Sequence, residues 1–224
     1  MKNLAIITAR GGSKRIPQKN IKHFMGKPML AYAVEAALNA GIFDEVMVST
    51  DDLQIANIAK QYNAKVPFMR SQETSNDFAT THDVLVEVMG SYKSIGQEFD
   101  NICCIYPCVP FLTPDILKDA FDKFLQSKAD RLTPVVKYSF PIQRAFVINE
   151  DGFLAFREPE NQSTRSQDLQ PTYHDVGMFY FYKSDRLNSN KISSYEMDER
   201  VVQDIDTMDD WKMAEMKYKV MHDV

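Results

Sequence analysis

Short apolar runs alternate along this chain with segments that show the 3.6-residue period of amphipathic helices. Strands are predicted at residues 4–9, 45–50, 65–69, 102–106 and 132–136, and helices at 28–40, 52–62, 81–93 and 113–127. Alternation of this kind is typical of a mostly parallel α/β sheet with helices packed on its faces. Pro28 suits the first turn of a helix, and Gly41 lies where a left-handed cap is expected to end it.

The pattern changes in the last 90 or so residues. Two apolar segments, 146–148 and 153–156, flank the turn sequence NEDG and predict a β-hairpin. Residues 157–171 are polar and aperiodic, which predicts a long loop of the kind that usually has a function or a partner. The remaining predicted elements are strands at 178–182 and 201–207 and a helix at 207–221.

The composition suits one compact domain. The chain has 224 residues, 44% of them hydrophobic, which is enough for one sizeable core and too few for two large domains. We expect a single domain over residues 1–224, with 138–170 forming an appended arm. The sequence has no apolar run of about 18 residues and no signal-peptide core, so a cytoplasmic location without membrane contact is expected.

Net charge and cysteine spacing each disfavour a class of function. The net charge of -5 disfavours a general nucleic-acid binder, which needs a basic face. Cys103, Cys104 and Cys108 lie in one apolar stretch and are odd in number, so they predict reduced core residues rather than a disulfide. Zinc binding and cysteine nucleophilic catalysis have little support, because no further Cys or His cluster with zinc-like spacing accompanies these residues.

Positive charge is concentrated at the start of the chain. Seven Lys or Arg lie within the first 34 residues and no acid precedes position 35, although the whole chain has 26 basic and 31 acidic residues. Most of these cations belong to the segment ARGGSKRIPQKN, residues 9–20, which directly follows the first predicted strand. This distribution predicts a binding site for a polyanion such as a nucleoside triphosphate. A solvated basic loop with a tight turn is the alternative.

The residues of this basic segment suit phosphate. Gly11 and Gly12 allow backbone N–H groups to approach a phosphate, and Arg10, Lys14 and Lys19 supply charge-assisted donors. The segment is not a P-loop, which needs a Gly directly before its Lys, and it lacks the third Gly of a dinucleotide fingerprint.

Two acidic motifs also follow predicted strands. Asp204 and Asp206 alternate along a predicted strand and so share one face, which suits Mg²⁺ bound by one or two carboxylates together with substrate phosphates. The alternative is that Asp206 or Thr207 caps the last helix. Asp51 is a weaker binding candidate, because Ser49-Thr50-Asp51-Asp52 has the composition of a helix N-cap.

The string ARGGSKRIPQKN, with GKPML at 26–30 and DIDT at 204–207, closely resembles the signature of the cytidylyltransferases that activate sialic-acid-type sugars. The resemblance extends from residue 7 to about 218. IYP, FPIQR, TRSQD and YHDVG look most like the pseudaminic acid group of that family. Two departures put neuraminic acid in doubt: YPCVP at 106–110 replaces the usual QPTSP, and HDVG at 174–177 replaces an Asn-Gly turn.

The resemblance implies a Rossmann-like nucleotide-diphospho-sugar transferase fold, CTP as the nucleotide and Mg²⁺ on Asp204 and Asp206. The implied CTP residues are Ala9, Arg10, Gly11, Gly12, Ser13, Lys14, Lys19 and Asn20, with Thr80 and Thr81 as further candidates or helix caps. The implied catalytic residues are Arg10, Lys14, Lys19 and Asp206. For an acidic nine-carbon sugar, the candidates are Tyr106, Gln143, Arg144, Arg165, Gln167, His174 and Asp175.

The resemblance also implies a homodimer in which the arm reaches the partner. His174 is either a general base or a structural histidine. An N-acylneuraminate or legionaminate cytidylyltransferase is the alternative substrate assignment. A metal-dependent glycosyltransferase is the alternative from another class, although its Asp-x-Asp usually follows a mid-chain strand, where this sequence has IYP. A non-catalytic nucleotide-binding regulator is the third alternative.

Overall fold

The computed structural model describes residues 1–223, and its centre is a seven-stranded sheet. Six of the strands follow the order β11-β6-β10-β5-β1-β4, and β9 pairs with β6 beside them. The sheet strands are β1 Asn3–Thr8, β4 Glu45–Ser49, β5 Asn101–Ile105, β6 Arg131–Lys137, β9 Tyr173–Asp175, β10 Phe179–Lys183 and β11 Ile192–Glu196. Two small ribbons lie outside it, β2 His23–Phe24 with β3 Lys27–Pro28 and β7 Phe146–Ile148 with β8 Leu154–Phe156.

Five of the seven strands run in one direction, which confirms the mostly parallel α/β class. β1 pairs in parallel with both β4 and β5, and β11 pairs in parallel with β6. β10 is antiparallel to β5 and to β6, and β9 is antiparallel to β6. The carboxyl ends of β5, β1 and β4 therefore lie side by side, and the basic segment leaves the middle one.

Residues 1–223 contain five α-helices, and their bounds agree with the sequence prediction to within about two residues. They are α1 Met29–Ala40, α2 Leu53–Gln61, α3 Thr81–Ser94, α4 Pro114–Gln126 and α5 Met208–His222. Capping side chains fix several helix starts: Asp52 accepts backbone N–H groups of α2, and Thr80 and Thr207 each form a capping box. Gly41, with φ of 64°, ends α1 in the predicted left-handed conformation.

Two buried clusters occupy opposite faces of the sheet. On one face α1, α2 and α4 pack against alternate residues of the parallel strands, including Ile7, Val48 and Ile105. On the other face α3 packs against the intervening residues Leu4, Ile6 and Met47. Cys103 and Cys104 are buried on opposite faces, as expected for core residues, and Cys108 is partly buried.

A third cluster joins distant parts of the chain. Ile16 of the basic segment and Ile205 of the Asp-x-Asp segment are both about 1% exposed and belong to the same apolar group as Phe24 and Trp211. Phe24 makes edge-to-face contacts with Trp211 and Tyr32 at centroid distances of 5.4 and 5.7 Å. This packing holds α5 and the segment before it against the basic segment.

The prediction of a strand is wrong for two segments of the described chain, residues 65–69 and 201–207. Residues 65–69 form a single bridge, from Lys65 to Met47, and Pro67 has no N–H to extend a ladder. Residues 202–206 pair with no strand within the described chain. Ile205 is nevertheless buried while its acidic neighbours are not, so side chains still alternate along this segment.

The predicted hairpin is confirmed, as β7 and β8 with Phe146 opposite Phe156. The rest of the segment from 138 to 170 is irregular, with short 3₁₀ turns. Large apolar side chains on it are exposed, among them Phe140 at 83%, Phe153 at 71% and Leu154 at 70%. Among residues 1–223, no helix combines the length and apolar character needed to cross a bilayer.

Candidate active site

A cleft of about 660 Å³ opens at the carboxyl ends of β5, β1 and β4, the edge where open α/β sheets bind ligands. It contains most of the residues that the sequence assigns to nucleotide and metal. The predicted residues that line it are Arg10, Gly12, Ser13, Lys14, Lys19, Asn20, Thr80, Thr81, Tyr106, Asp204 and Asp206. The cleft therefore brings the basic segment and the Asp-x-Asp together from opposite ends of the chain.

The two glycines of the basic segment have different roles. The Gly11 N–H donates to Asp51 Oδ1 at 2.9 Å, and a Cβ built on Gly11 would lie 2.8 Å from Asp52 Oδ2. A larger residue than Gly11 would collide with Asp52, the cap of α2. Asp51 holds the basic segment in place through its bond with the Gly11 N–H. A Cβ on Gly12 would meet no atom within 4 Å, and Gly12 lines the cleft. Gly12 is the position at which a ligand can approach the backbone.

Two of the cations share one carboxylate. Arg10 Nη1 donates to Asp77 Oδ1 at 2.8 Å, and Lys14 Nζ donates to Asp77 Oδ2 at 2.5 Å. Arg10 also donates to the Asn76 carbonyl at 3.1 Å. Hydrogen bonds from Lys14 and then Arg10 hold the pKa of the Asp77 carboxyl below its usual value. Asp77 is therefore ionised at neutral pH and neutralises part of the charge of the basic segment.

The other cations face the Asp-x-Asp. Lys19 Nζ donates to the Ile205 carbonyl at 2.7 Å and lies 3.5 Å from Asp206 Oδ1. Arg15 Nη2 lies 2.9 Å from the same Asp206 oxygen. The buried pair Ile16 and Ile205 keeps these polar groups opposed, because both anchors pack into the same apolar cluster.

The Asp204 and Asp206 carboxylates fit a hard cation. The helix-cap alternative applies to Thr207, which forms the capping box of α5 with Asp210, so the Asp206 carboxylate is not used as a cap and instead faces Arg15 and Lys19. Asp204 and Asp206 both line the cleft, on either side of buried Ile205. In the described part of the chain, no group of three or more His, Cys, Asp or Glu is arranged to hold a metal. Two carboxylates completed by phosphate oxygens and water match Mg²⁺ better than a site built by protein alone.

Asn20 and Cys108 form part of the cleft wall. Asn20 is 4% exposed, its Nδ2 donates to the Arg10 carbonyl at 2.8 Å, and its own carbonyl accepts from Leu30 N–H. Asn20 thus closes the basic segment on itself. The Cys108 thiol donates to Asn20 Oδ1 at 3.3 Å, and burial raises its pKa to about 12. A thiol of this pKa is protonated at neutral pH and is a poor nucleophile.

The opposite wall carries hydroxyl groups. Thr80 is the N-cap of α3, and the Thr81 Oγ1 lies 2.9 Å from the Tyr106 hydroxyl. Burial raises the pKa of Tyr106, so its phenol is neutral. The Tyr180 hydroxyl donates to Asp175 Oδ1, which also accepts the Gly177 N–H at 2.8 Å. Asp175 therefore shapes the turn at Gly177, and Gly177 lines the cleft although Asp175 does not.

Comparison with known proteins identifies the family. The sequence profile described as cytidylyltransferase matches residues 4–217. The chain belongs to this cytidylyltransferase family. It is 43% identical to a pseudaminic acid cytidylyltransferase from Campylobacter jejuni over 229 aligned residues, covering 100% of this chain and 99% of that protein. It is 30% identical to a CMP-N,N'-diacetyllegionaminic acid synthase from Legionella pneumophila, with 96% and 95% of the two chains covered.

A solved structure agrees with the fold. The structure of CMP:2-keto-3-deoxy-manno-octonic acid synthetase complexed with CTP superposes with a TM-score of 0.71 at 21% identity, and each chain is covered completely. This similarity supports the nucleotide-diphospho-sugar transferase type of fold that the sequence motifs imply. The chain is thus an enzyme of the cytidylyltransferase family by sequence, with a fold that a CTP-bound relative shares.

Several residues that line the enzyme's cleft were not among the site residues predicted from the sequence. Arg70 is 8% exposed and donates from Nη2 to the Ser49 carbonyl at 2.6 Å and from Nε to Ser49 Oγ at 3.0 Å. Burial lowers the pKa of its guanidinium, and Asp51 partly offsets this effect. The other such lining residues are Thr8, Arg15, Ile16, Thr74, Asn76, Asp77, Ala79, Val84, Pro107, Cys108, Gly177 and Ile205. The sequence signal that could have indicated Arg70 is its place, as an arginine in the loop that follows α2.

Eight predicted site residues lie outside the lining of the enzyme's cleft. Ala9 is buried in the core, and Gly11 faces Asp51. On the arm, Gln143 donates to the Gln170 carbonyl and Arg165 pairs with Asp168. The remaining residues are Arg144, Gln167, His174 and Asp175. The arm residues contact one another because their segment folds on itself, so their assignment to the sugar stays a prediction.

Proposed function

We propose that the enzyme uses CTP and Mg²⁺ to convert pseudaminic acid, a nine-carbon 2-keto acid sugar, to its CMP derivative with release of pyrophosphate. The observation that carries this proposal is the convergence of Arg10, Lys14 and Lys19 with Asp204 and Asp206 in one cleft. That cleft lies at the sheet edge where nucleotide ligands bind in open α/β folds. The CTP-bound fold relative and the 43% identical pseudaminic acid cytidylyltransferase support the choice of nucleotide and sugar.

The reaction is a direct displacement at phosphorus. The oxygen of the sugar's anomeric hydroxyl bonds to the α-phosphorus as its proton passes to water. The bond from the α-phosphorus to the bridging oxygen breaks, and its electron pair leaves with pyrophosphate. This displacement needs no covalent enzyme intermediate.

Each charged group of the cleft has a role in this proposal. Arg10 and Lys14 hold the outer phosphates, and Lys19 stabilises the charge that develops on the leaving pyrophosphate. The Gly12 backbone allows the triphosphate to approach the end of β1. Asp204 and Asp206 would hold Mg²⁺, which supplies charge neutralisation at phosphate oxygens when it is bound. In the absence of Mg²⁺, Arg15 and Lys19 pair with Asp206.

The sugar is assigned to the side of the cleft lined by Thr81, Tyr106 and Gly177. The neutral hydroxyls of Thr81 and Tyr106 are suited to hydrogen bonds with a polyhydroxylated ligand. In this proposal the arm of a second subunit supplies Gln143, Arg144, Arg165 and Gln167, and His174 of β9 is the remaining residue of the sugar site. That assignment explains why the arm side chains lie away from the cleft within one chain.

We also propose a homodimer that works in the cytoplasm. The exposed apolar side chains of the arm, including Phe140, Phe153 and Leu154, form the kind of surface that marks a protein interface. The three free cysteines suit a reducing compartment.

The proposed function is tested by measuring pyrophosphate release with CTP and Mg²⁺, comparing pseudaminic acid, N-acetylneuraminic acid, a legionaminic acid and no sugar. We expect release with pseudaminic acid far above the other reactions. Release mainly with one of the other sugars would keep the reaction and change the substrate. CTP binding without release on any sugar would support the non-catalytic regulator instead.

A further inference from the structure

The segment of residues 71–80 lines part of the cleft and is anchored to α3 at its start. Glu87 of α3 accepts hydrogen bonds from the Ser71 N–H and from the hydroxyls of Ser71 and Thr74. These bonds lower the pKa of Glu87 although its partial burial raises it, so the carboxylate is ionised. The base of the segment is therefore fixed to α3 by one charged acceptor.

The tip of the segment presents a carboxylate to the basic segment. Asn76 Oδ1 accepts the N–H groups of Phe78 and Ala79 at 2.8 and 3.0 Å, which forms a tight turn. Asp77 lies within this turn and bonds to Arg10 and Lys14 with one oxygen each. The cations that the proposed function assigns to the outer phosphates are thus already paired.

We propose that Asp77 stands in for phosphate in the free enzyme and is displaced when a triphosphate binds. This inference rests on the proposed function, because it requires CTP phosphates at Arg10 and Lys14. An acid at this place reduces the repulsion between the two cations in the empty cleft. A triphosphate carries more charge than one carboxylate, so it wins the competition, but part of its binding energy is used to displace Asp77.

The same competition acts on the product. When pyrophosphate leaves, Asp77 re-forms its bonds with Arg10 and Lys14, and this favours release. The effect weakens CTP and pyrophosphate binding by a similar factor and acts equally on ground state and transition state. Asp77 is therefore expected to raise the KM for CTP while leaving the chemical step unchanged.

The test compares Asp77→Asn with Glu73→Gln, which removes the same charge from an exposed position of the same segment. Calorimetry would measure the binding of CTP and, separately, of inorganic pyrophosphate to each variant. We expect Asp77→Asn to bind both ligands about threefold to tenfold more tightly, as expected for two partly exposed ion pairs. Glu73→Gln should match the wild type, and Asp77→Glu should restore wild-type affinity. The gain should shrink as salt is raised.

Two results would overturn the inference while leaving the proposed function intact. One is equal affinity in Asp77→Asn and Glu73→Gln. The other is weaker binding in Asp77→Asn, which would mean that Asp77 positions the cations rather than competing for them. If the wild type binds neither CTP nor pyrophosphate, the proposed function fails and this inference fails with it. Asp77→Ser provides a second neutral variant if the melting temperature shows that Asp77→Asn is unfolded.

Discussion

The basic segment, residues 9–20, and the arm, residues 138–170, are both rich in polar side chains but differ in what those side chains contact. Lys14 reaches an acid 63 positions away, and Lys19 reaches a carbonyl 186 positions away. On the arm, Arg165 pairs with an acid three positions away, and Gln143 bonds 27 positions away, still within the arm. Side chains of the basic segment therefore contact distant parts of the chain, whereas these side chains of the arm contact other residues of the arm.

This difference divides the site into two halves. The half proposed to bind phosphate is assembled within one chain, because strand ends and a shared apolar cluster bring its parts together. The arm carries exposed apolar side chains and polar groups that the cleft does not use. Variants of the basic segment should therefore disable CTP chemistry in any state of assembly, whereas variants of the arm should act through assembly and sugar binding.

The largest effect is expected from Lys19→Met. The ammonium of Lys19 is held by the Ile205 carbonyl and faces Asp206, so its loss removes a preorganised charge. We expect kcat/KM to fall by roughly 10²–10³-fold, as for the removal of one charge-stabilising donor. Steady-state kinetics with CTP and pseudaminic acid would measure it. Lys22→Met, at an exposed position near Trp211, is the matched control and should retain activity.

Asp206→Asn should follow in size. Losing one of two carboxylates weakens metal binding, and we expect activity to fall on the order of 10²-fold and to recover partly as Mg²⁺ is raised. A titration of activity against Mg²⁺ would measure the shift. Asp209→Asn, on an acid whose side chain is 93% exposed, should leave the metal dependence unchanged. An unshifted metal curve in Asp206→Asn would place the ion elsewhere.

The arm is tested by Phe153→Asp combined with Leu154→Asp. Both side chains are exposed in the single chain, and new charge there would prevent burial against a partner. We expect a monomer by light scattering, unchanged CTP affinity by calorimetry, and a KM for the sugar raised about tenfold, equivalent to one lost anchor. Ile95→Asp, at an exposed position after α3, is the control. Retention of a dimer with an unchanged sugar KM would contradict the role of the arm.

The smallest expected effects come from replacing each of the two glycines of the basic segment with alanine. Gly11→Ala places a Cβ against the Asp52 side chain that caps α2, so we expect the free energy of unfolding to fall by about 1–2 kcal/mol. Gly12→Ala meets no atom and should keep wild-type stability while weakening CTP binding. Urea unfolding and CTP calorimetry on both variants would show whether the two effects separate in this way.

Local signals made much of this fold predictable from sequence. Helix bounds followed from caps such as Asp52 and Gly41, because these residues act on their own neighbours. The basic segment was recognisable because its cations are adjacent in sequence. The sequence also predicted that the side chains of Asp204 and Asp206 share one face, but on the assumption of a strand that the described chain does not form. The two acids alternate with Ile205 because Ile205 is buried.

Long-range contacts were not predictable in the same way. Arg70 belongs to the site because it bonds Ser49 across the end of β4, and Asp77 because a turn brings it to Arg10. Neither contact has a sequence period or motif. β9 and β11 were missed because they are short or polar strands that depend on β6 as a pairing partner. The arm's polar residues were assigned to the sugar by resemblance, and they lie outside the lining of the cleft described above.

The bond from Lys19 to the Ile205 carbonyl has a consequence for biosynthesis. During translation Lys19 is made 186 positions before its acceptor carbonyl, which lies between the two carboxylates proposed to hold the metal. A chain that terminates before Asp204 retains the cations and β1 but lacks Asp204, Asp206 and the Ile205 anchor. In the proposed mechanism such a fragment would not turn over CTP, because its basic segment lacks both the carbonyl that holds Lys19 and the acids that face it.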